Sequence, residues 1–290
     1  MRRYIRFIAR TTVIFVLLVG AVPVAVTGTV LASMIFLPLP ATLPQPRPPE
    51  GGQVSRVYDQ NGDEIGQFRE FEQNIPVRRG DIPLFLKQAV ISAEDRSFYQ
   101  HGGVDIRGSA RALSVDIRGG AVKQGGSTIT QQYVKNAYVG KERTIMRKVR
   151  EAIIAAQLDR QAEKDDILFR YLSTIYLGEG AIGVGAASLT YFRKPVSELT
   201  LSESALLAGL IPAPSRYEPR GNPQIADQRR RVVLQQMLDQ EYISQEQHDL
   251  TAAEPLLVLA QNQPPPEGPA TLIWPTQQQT SKYPYFVDYV

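Results

Sequence analysis

Residues 141–160 read KERTIMRKVREAIIAAQLDR, and this stretch decides the fold class. Ile145, Val149, Ile153 and Ala156 recur at helical spacing and form one apolar stripe. Lys148, Glu151 and Ala155 fall on another face, three and four residues apart, where the small Ala155 would leave room for a ligand. Helical periodicity continues over 164–177, 183–192, 200–210 and 223–239, with Gly or Pro between the segments and a short helix over 240–250. Upstream, Pro83 opens the apolar-periodic run LFLKQAVISAEDRSFY, expected to stay helical up to Gly102-Gly103. The chain therefore reads as mainly α. It is neither a Rossmann nor a P-loop protein, because GGSTITQQ at 125–132 lacks both the glycine spacing and the lysine of a phosphate loop.

Composition narrows the chemistry. With 290 residues, 43% hydrophobic and 21% charged, the chain can fold around a core of one large domain or two small ones. It has no cysteine, which excludes thiolate metal sites, thiol nucleophiles and disulfides. Two histidines, His101 and His248, do not make a multi-histidine metal site. The net charge of +3 is concentrated at one end: Arg2, Arg3, Arg6 and Arg10 precede a run from Thr11 to Pro46 without any charge. The remainder has 28 basic against 29 acidic side chains, so a nucleic-acid surface is not expected.

That charge pattern predicts a cytoplasmic basic tail over 1–10 and a transmembrane helix over 11–38, TTVIFVLLVGAVPVAVTGTVLASMIFLP. Four arginines before the span put the N-terminus in the cytoplasm and the rest outside. A cleaved signal peptide has the same order of regions, but the uncharged run is long for a signal core. Residues 39–80 read as a proline-rich spacer followed by two short strands about Asn61-Gly62, and 81–250 as the main domain. The segment 104–123, with Arg107, Arg111, Arg118 and Lys123 among Ile and Leu, suits an amphipathic stretch at lipid headgroups or an ordinary solvated lid. Residues 251–290, with PPPEGP and TQQQTSKYP, read as a linker or the start of a further domain.

Without thiols and with few imidazoles, acid and base work falls to carboxylates. Glu94 ends an apolar helical run beside Val90, Ile91 and Phe98, where desolvation would raise its proton affinity. A surface pair with Arg96 is the plainer alternative. Glu151 is the second candidate, in a helix with five basic residues between Lys141 and Arg150 that would suit a phosphate-bearing ligand. Within QGGSTITQQYVKN, Ser127 is expected to cap a helix beginning near Thr128, whose free N–H groups would favour an anion. Gln131 and Gln132 would face sugar hydroxyls or amides.

In this order, EDRSFYQHGG at 94–103, GGSTITQQYVKN at 125–136, RKVREAIIAAQLD at 147–159, DDILFRYLSTIYLGEGAIGVGAASLTYF at 165–192 and SESALLAGLIPAPSRYEP at 202–219 resemble the peptidoglycan glycosyltransferase domain of class A penicillin-binding proteins and their monofunctional relatives. The resemblance implies a lysozyme-like, mostly helical glycosyltransferase domain with a larger head and a membrane-proximal smaller lobe. It implies polymerisation of lipid II into β-1,4-linked glycan at the outer face of the bacterial cytoplasmic membrane, with sensitivity to moenomycin. By the same resemblance Glu94 is the catalytic base, Glu151 the second essential carboxylate, and Lys148 a contact to diphosphate or sugar. Ser127, Thr128, Gln131 and Gln132 line the cleft, and Asp95, Arg96 and His101 shape it. Gly126, Lys135 and Arg147 complete the implied substrate-binding set.

A divalent cation, Mg or Mn, is a candidate cofactor with Glu151 as its candidate ligand, and no organic cofactor is expected. The implied partners are lipid II, the growing glycan chain and the bacterial membrane, with cell-wall synthesis or division proteins as further candidates. Phe169, Ser173, Leu177, Ile182 and Arg193 depart from the family's usual Glu, Asn, aromatic, Tyr and Gly. Bifunctional relatives add a transpeptidase domain whose S-x-x-K, S-D-N and K-T-G motifs are not in these residues, while the SKYPYFVDYV ending resembles the stretch that joins the two domains, so the chain reads either as a piece of a bifunctional protein or as a monofunctional relative. Two rivals stand beside this reading: a glycan-cleaving lysozyme-like enzyme with the same pair of acids, and a catalytically silent cell-wall scaffold.

Overall fold

The computed structural model describes residues 54–58, 64–69, 73–105, 108, 126–139 and 145–276. The expected basic tail, the transmembrane helix, the Asn61-Gly62 turn and nearly all of 104–123 lie outside the described residues. No helix among the described residues is long and apolar enough to cross a membrane.

Mainly α is what forms. The helices are α1 (Leu84–Glu94), α2 (Ile129–Val134), α3 (Ile145–Gln161), α4 (Lys164–Thr174), α5 (Gly183–Phe192), α6 (Leu201–Leu210), α7 (Pro214–Tyr217), α8 (Pro223–Asp239) and α9 (Gln245–Ala253). Three two-stranded pairs accompany them among the described residues: antiparallel β1 (Val54–Tyr58) with β2 (Glu64–Arg69), parallel β3 (Gln73–Asn74) with β4 (Ala181–Ile182), and parallel β5 (Leu256–Val258) with β6 (Thr271–Ile273).

The core runs along α1, α6 and α8. Leu86, Ala89 and Val90 of α1 meet Leu206, Leu207 and Leu210 of α6 and Val233, Leu234 and Met237 of α8, all within one buried cluster. Short residues on α6, Ala205, Ala208 and Gly209, let the neighbouring helices approach closely; a Cβ on Gly209 would meet Arg229 at 3.1 Å. The second layer is α2 on α3 and α4, with Ile129, Val134, Leu158, Leu168 and Leu172 buried between them. Thr200 and Ser244 open α6 and α9 with capping boxes, each side chain accepting the N–H three residues on.

Three features add to or differ from the sequence reading. Helix α1 stops at Glu94 rather than running to Gly102, because Asp95 leaves helical geometry (φ −158°, ψ 77°) and turns its carboxylate across to His101 and Ile129. On α3 the buried face is Glu151, Ala152, Ala155 and Leu158, whereas Val149, Ile153 and Ala156 are only partly covered. Beyond residue 250, in the stretch expected as a linker or the start of a further domain, β5 and β6 pair and the chain packs on the helical body as far as residue 276. Ile273 is buried in the core, and the Trp274 N–H donates to the Tyr191 carbonyl at 2.9 Å.

Candidate active site

The site is built where the end of α1 meets the start of α2. Glu94 is the last residue of α1, and its Oε2 accepts from Gln132 Nε2 at 2.7 Å. The Gln132 Oε1 in turn accepts from the buried Tyr171 hydroxyl at 3.0 Å. The plain surface pair of Glu94 with Arg96 does not form; Arg96 is exposed and Glu94 turns to Gln132. Burial pushes the Glu94 carboxyl above its ordinary value. The Gln132 bond and the charges of Arg229 and Lys135 pull it down, Asp95 pushes it up, and desolvation wins. A carboxylate so placed holds a proton more readily than a solvated one, as a base working near neutrality requires.

Asp95 takes the place foreseen for a bound anion. Its Oδ2 accepts from the Ile129 N–H at 3.0 Å at the start of α2, and both its oxygens lie within 3.0 Å of His101 Nε2. The anion at this short helix start is the protein's own side chain. Thr128, not Ser127, is the cap: its hydroxyl accepts from the Gln131 N–H, and Gln131 Oε1 accepts from the Thr128 N–H. Gln131 is buried, with its Oε1 and backbone N–H held in that reciprocal pair. Ser127 is released for another role, and its Oγ accepts from Lys148 Nζ at 3.2 Å. Gly126 and Lys135 are exposed, one just before α2 and one just after it.

The 96–104 turn is locked against α3. Thr128 donates its hydroxyl to the Gly103 carbonyl at 2.7 Å. Gly103 itself sits at φ +79°, and a Cβ there would lie 2.4 Å from the Ala155 carbonyl oxygen. The space above Ala155 is thus filled by the Gly103 backbone and is not the ligand space the sequence suggested. Lys164 completes the lock by donating to the His101 carbonyl at 2.6 Å, pairing with Asp159 and lying 4.9 Å over the Phe98 ring.

Glu151 is 0% exposed. Arg147 bonds one oxygen and Lys148 Nζ stands 2.9 Å from the other. A buried carboxylate flanked by two cations holds those cations in place. Positive groups stand beside both Glu151 oxygens, and Oε2 makes no hydrogen bond among the described residues. Lys148 keeps half its side chain exposed (51%), so it is the group that Glu151 presents outward. Through Ser127 and Gln132, α2 joins this cationic wall to Glu94 within two helical turns, on the order of 10 Å.

Sequence reasoning overlooked Tyr171, Lys164 and Arg229. Tyr171 sits on the buried α4 stripe with Ile167, Leu168 and Leu172 and reads as core. The available signal was its hydroxyl, since a buried tyrosine needs a polar partner. Of the positions that depart from the family pattern, Phe169 packs on the core, Leu177 is buried, and Ile182 pairs with Asn74. Ser173 turns its hydroxyl back to the Phe169 carbonyl at 2.8 Å. Arg193 adopts a left-handed cap (φ 56°), the conformation glycine favours, and its guanidinium lies 4.7 Å over the Trp274 ring.

Residues 61–238 match the transglycosylase family as a whole and enclose all five sequence blocks. The chain belongs to the transglycosylase family. Two curated relatives of this transglycosylase are penicillin-binding protein 1A of Haemophilus influenzae, 41% identical over 232 residues (80% of this chain, 26% of that protein), and penicillin-binding protein 1A of Escherichia coli K12, 46% identical over 199 residues (69% and 23%). A crystal structure of the Haemophilus influenzae protein aligns with 28% identity and a TM-score of 0.40, covering 72% of this chain and 21% of that one. The chain spans about a quarter of the length of these relatives. Its 61–238 segment is a peptidoglycan glycosyltransferase domain of the class A penicillin-binding protein type.

Proposed function

We propose that this domain polymerises lipid II, and that Glu94 is the base. Its carboxylate takes the proton from the 4-hydroxyl of the acceptor sugar while that oxygen attacks the anomeric carbon of the growing donor chain. The new C–O bond forms as the bond from the anomeric carbon to the diphosphate oxygen breaks. The α-linked undecaprenyl diphosphate leaves with the bonding pair, and a β-1,4 link results with inversion. Lys148, with Arg147 behind it, offsets the charge gathering on the departing diphosphate. Glu151 keeps both cations aimed and stays clear of the reacting atoms. The mechanism routes no step through a divalent ion.

The observation that carries this reading is a desolvated carboxylate with a single neutral hydrogen-bond donor, one short helix away from an exposed, braced lysine. Glycan cleavage needs a carboxylic acid to protonate a leaving sugar but has no use for a cationic wall built for a diphosphate. The lysozyme-like division into head and smaller lobe belongs to the same proposal, as does anchorage by 11–38 at the outer face of the cytoplasmic membrane. The uncharged run behind four arginines supports the latter.

Lipid II turnover by the full chain in detergent tests the base. Glu94→Gln should lower kcat by about 10²- to 10⁴-fold with little change in KM. Because the carboxyl is pushed up, the acid limb of the wild-type pH profile should lie above the ordinary carboxylate range, with activity lost as pH falls through it. Undiminished polymer from Glu94→Gln would remove Glu94 from the chemistry.

A further inference from the structure

Tyr171 lies at the end of a hydrogen-bond chain that reaches Glu94 through a single amide. It is 0% exposed, so its phenolic proton requires a protein acceptor. That acceptor is Gln132 Oε1 at 3.0 Å. An amide oxygen held there leaves the NH₂ end of the same planar group no choice of direction, and Nε2 donates to Glu94 Oε2 at 2.7 Å. If the amide were reversed, its oxygen would face the Glu94 carboxylate, acceptor against acceptor.

We propose that Tyr171 is a positioning residue: its hydroxyl fixes the orientation of the Gln132 amide so that an N–H is always presented to Glu94. The inference deepens the reading of Glu94 as the base and rests on it for its meaning in catalysis. The two are separable, because the Gln132–Glu94 contact exists whatever Glu94 does. The charged groups around Glu94 are Asp95 beside it on the chain, Lys135 at the end of α2 and Arg229 on α8. Tyr171 itself feels the fields of Glu94 and Asp95 and stays neutral, with its hydroxyl pushed far above the ordinary phenol value by burial. None of these charges is removed by taking away the phenolic oxygen.

Tyr171→Phe deletes that oxygen and nothing else of comparable size. The amide then samples both orientations, and Glu94 loses a donor that stabilises its ionised form. The sign follows: proton affinity at Glu94 rises, so the acid limb of kcat moves to higher pH, by about one pH unit, a tenfold change in proton affinity. KM for lipid II should hold. A merely structural loss would lower active fraction equally at every pH and leave the limb in place.

The experiment uses the full chain in detergent, with ¹³C-labelled glutamate carboxyls titrated by NMR and the Glu94 signal identified by its disappearance in Glu94→Gln. Turnover of lipid II is measured across the same pH range. Tyr171→Phe and Gln132→Ala should each raise the Glu94 midpoint, and Tyr171→Phe added to Gln132→Ala should raise it no further. 3-Fluorotyrosine placed at 171 keeps the fold and sharpens the donor, so it should shift the midpoint down, which serves if the Phe variant does not fold. An unmoved Glu94 midpoint in both Tyr171 variants, or full additivity with Gln132→Ala, overturns the proposal. A shifted midpoint together with full activity of Glu94→Gln would uphold the positioning role while removing the base assignment.

Discussion

Two ionisable groups in this domain are held in opposite ways. Arg230 on α8 is 0% exposed, and all five of its N–H groups are matched: Nε and Nη2 to Asp227 Oδ1 at 2.9 and 2.6 Å, Nη1 to Ser202 Oγ at 2.6 Å and the Thr251 carbonyl at 2.9 Å, and Nη2 again to the Glu254 carbonyl at 2.7 Å. Ser202 also bonds Thr271, so this one guanidinium ties α6, α8, α9 and β6 together. Glu94, by contrast, is largely desolvated, with Gln132 as its one hydrogen-bond donor among the described residues. A fully matched charge is fixed in one state and serves the architecture. A charge left short of partners can change state, which is what proton transfer needs. The contrast separates stability from chemistry within a single helical body.

If that separation is real, Arg230→Met should have the largest effect on stability, about 4 kcal/mol, read by denaturant unfolding. The acid limb of the polymerisation profile should stay where it is. Asp227 supplies a further sign. Burial would push its carboxyl up, but Arg231 and Arg230 outweigh burial and hold it below its ordinary value. Its contribution is therefore present above that ordinary value and fades as pH falls through the lowered one, and the Met variant should lose much of this acid sensitivity. A moved activity limb in Arg230→Met would show that the two regions are coupled after all.

Gly103→Ala probes the one place where the regions should not separate. A Cβ there meets the Ala155 carbonyl at 2.4 Å in a left-handed backbone, so about 3 kcal/mol of stability should be lost. The turn also carries the Thr128 and Lys164 bonds that seat α2, so kcat should drop along with it. Retained kcat in a destabilised Gly103→Ala protein would place the turn on the architectural side alone. The smallest effect is expected for Arg193→Gly. Relief of the left-handed strain and loss of the stack over Trp274 oppose each other, and the net should fall within about 0.5 kcal/mol with kcat unchanged. A larger loss would mean that Trp274 and the strand before it depend on Arg193 more than on the core.

Much of this was readable in advance, for definite reasons. Helices α3 to α6 and α8 begin and end within a few residues of the expected positions, since their apolar period and their Gly and Pro boundaries are local properties, whereas α9 starts at Gln245, five residues after the expected 240. The pairing of β1 with β2 was legible from two short runs flanking Asn61-Gly62. Glu94 could be picked out because cysteine is absent and histidine scarce, leaving carboxylates to do acid and base work. The role of Glu151 was less legible, because nothing local says that its side chain points inward between Arg147 and Lys148.

The sequence by itself determined the helical class, the order of the elements and the family, and singled out the two carboxylates as candidates, because periodicity, composition and motif spacing are written along the chain. Only the tertiary structure decided which partners those groups meet. Asp95 fills the anion position at the start of α2, Thr128 replaces Ser127 as the cap, and Gly103 occupies the space over Ala155. Tyr171, thirty-nine residues from Gln132, reaches Glu94 through it. Hydrogen bonding and desolvation act over a few ångströms in space, and residues that far apart in sequence become neighbours only when the helices pack.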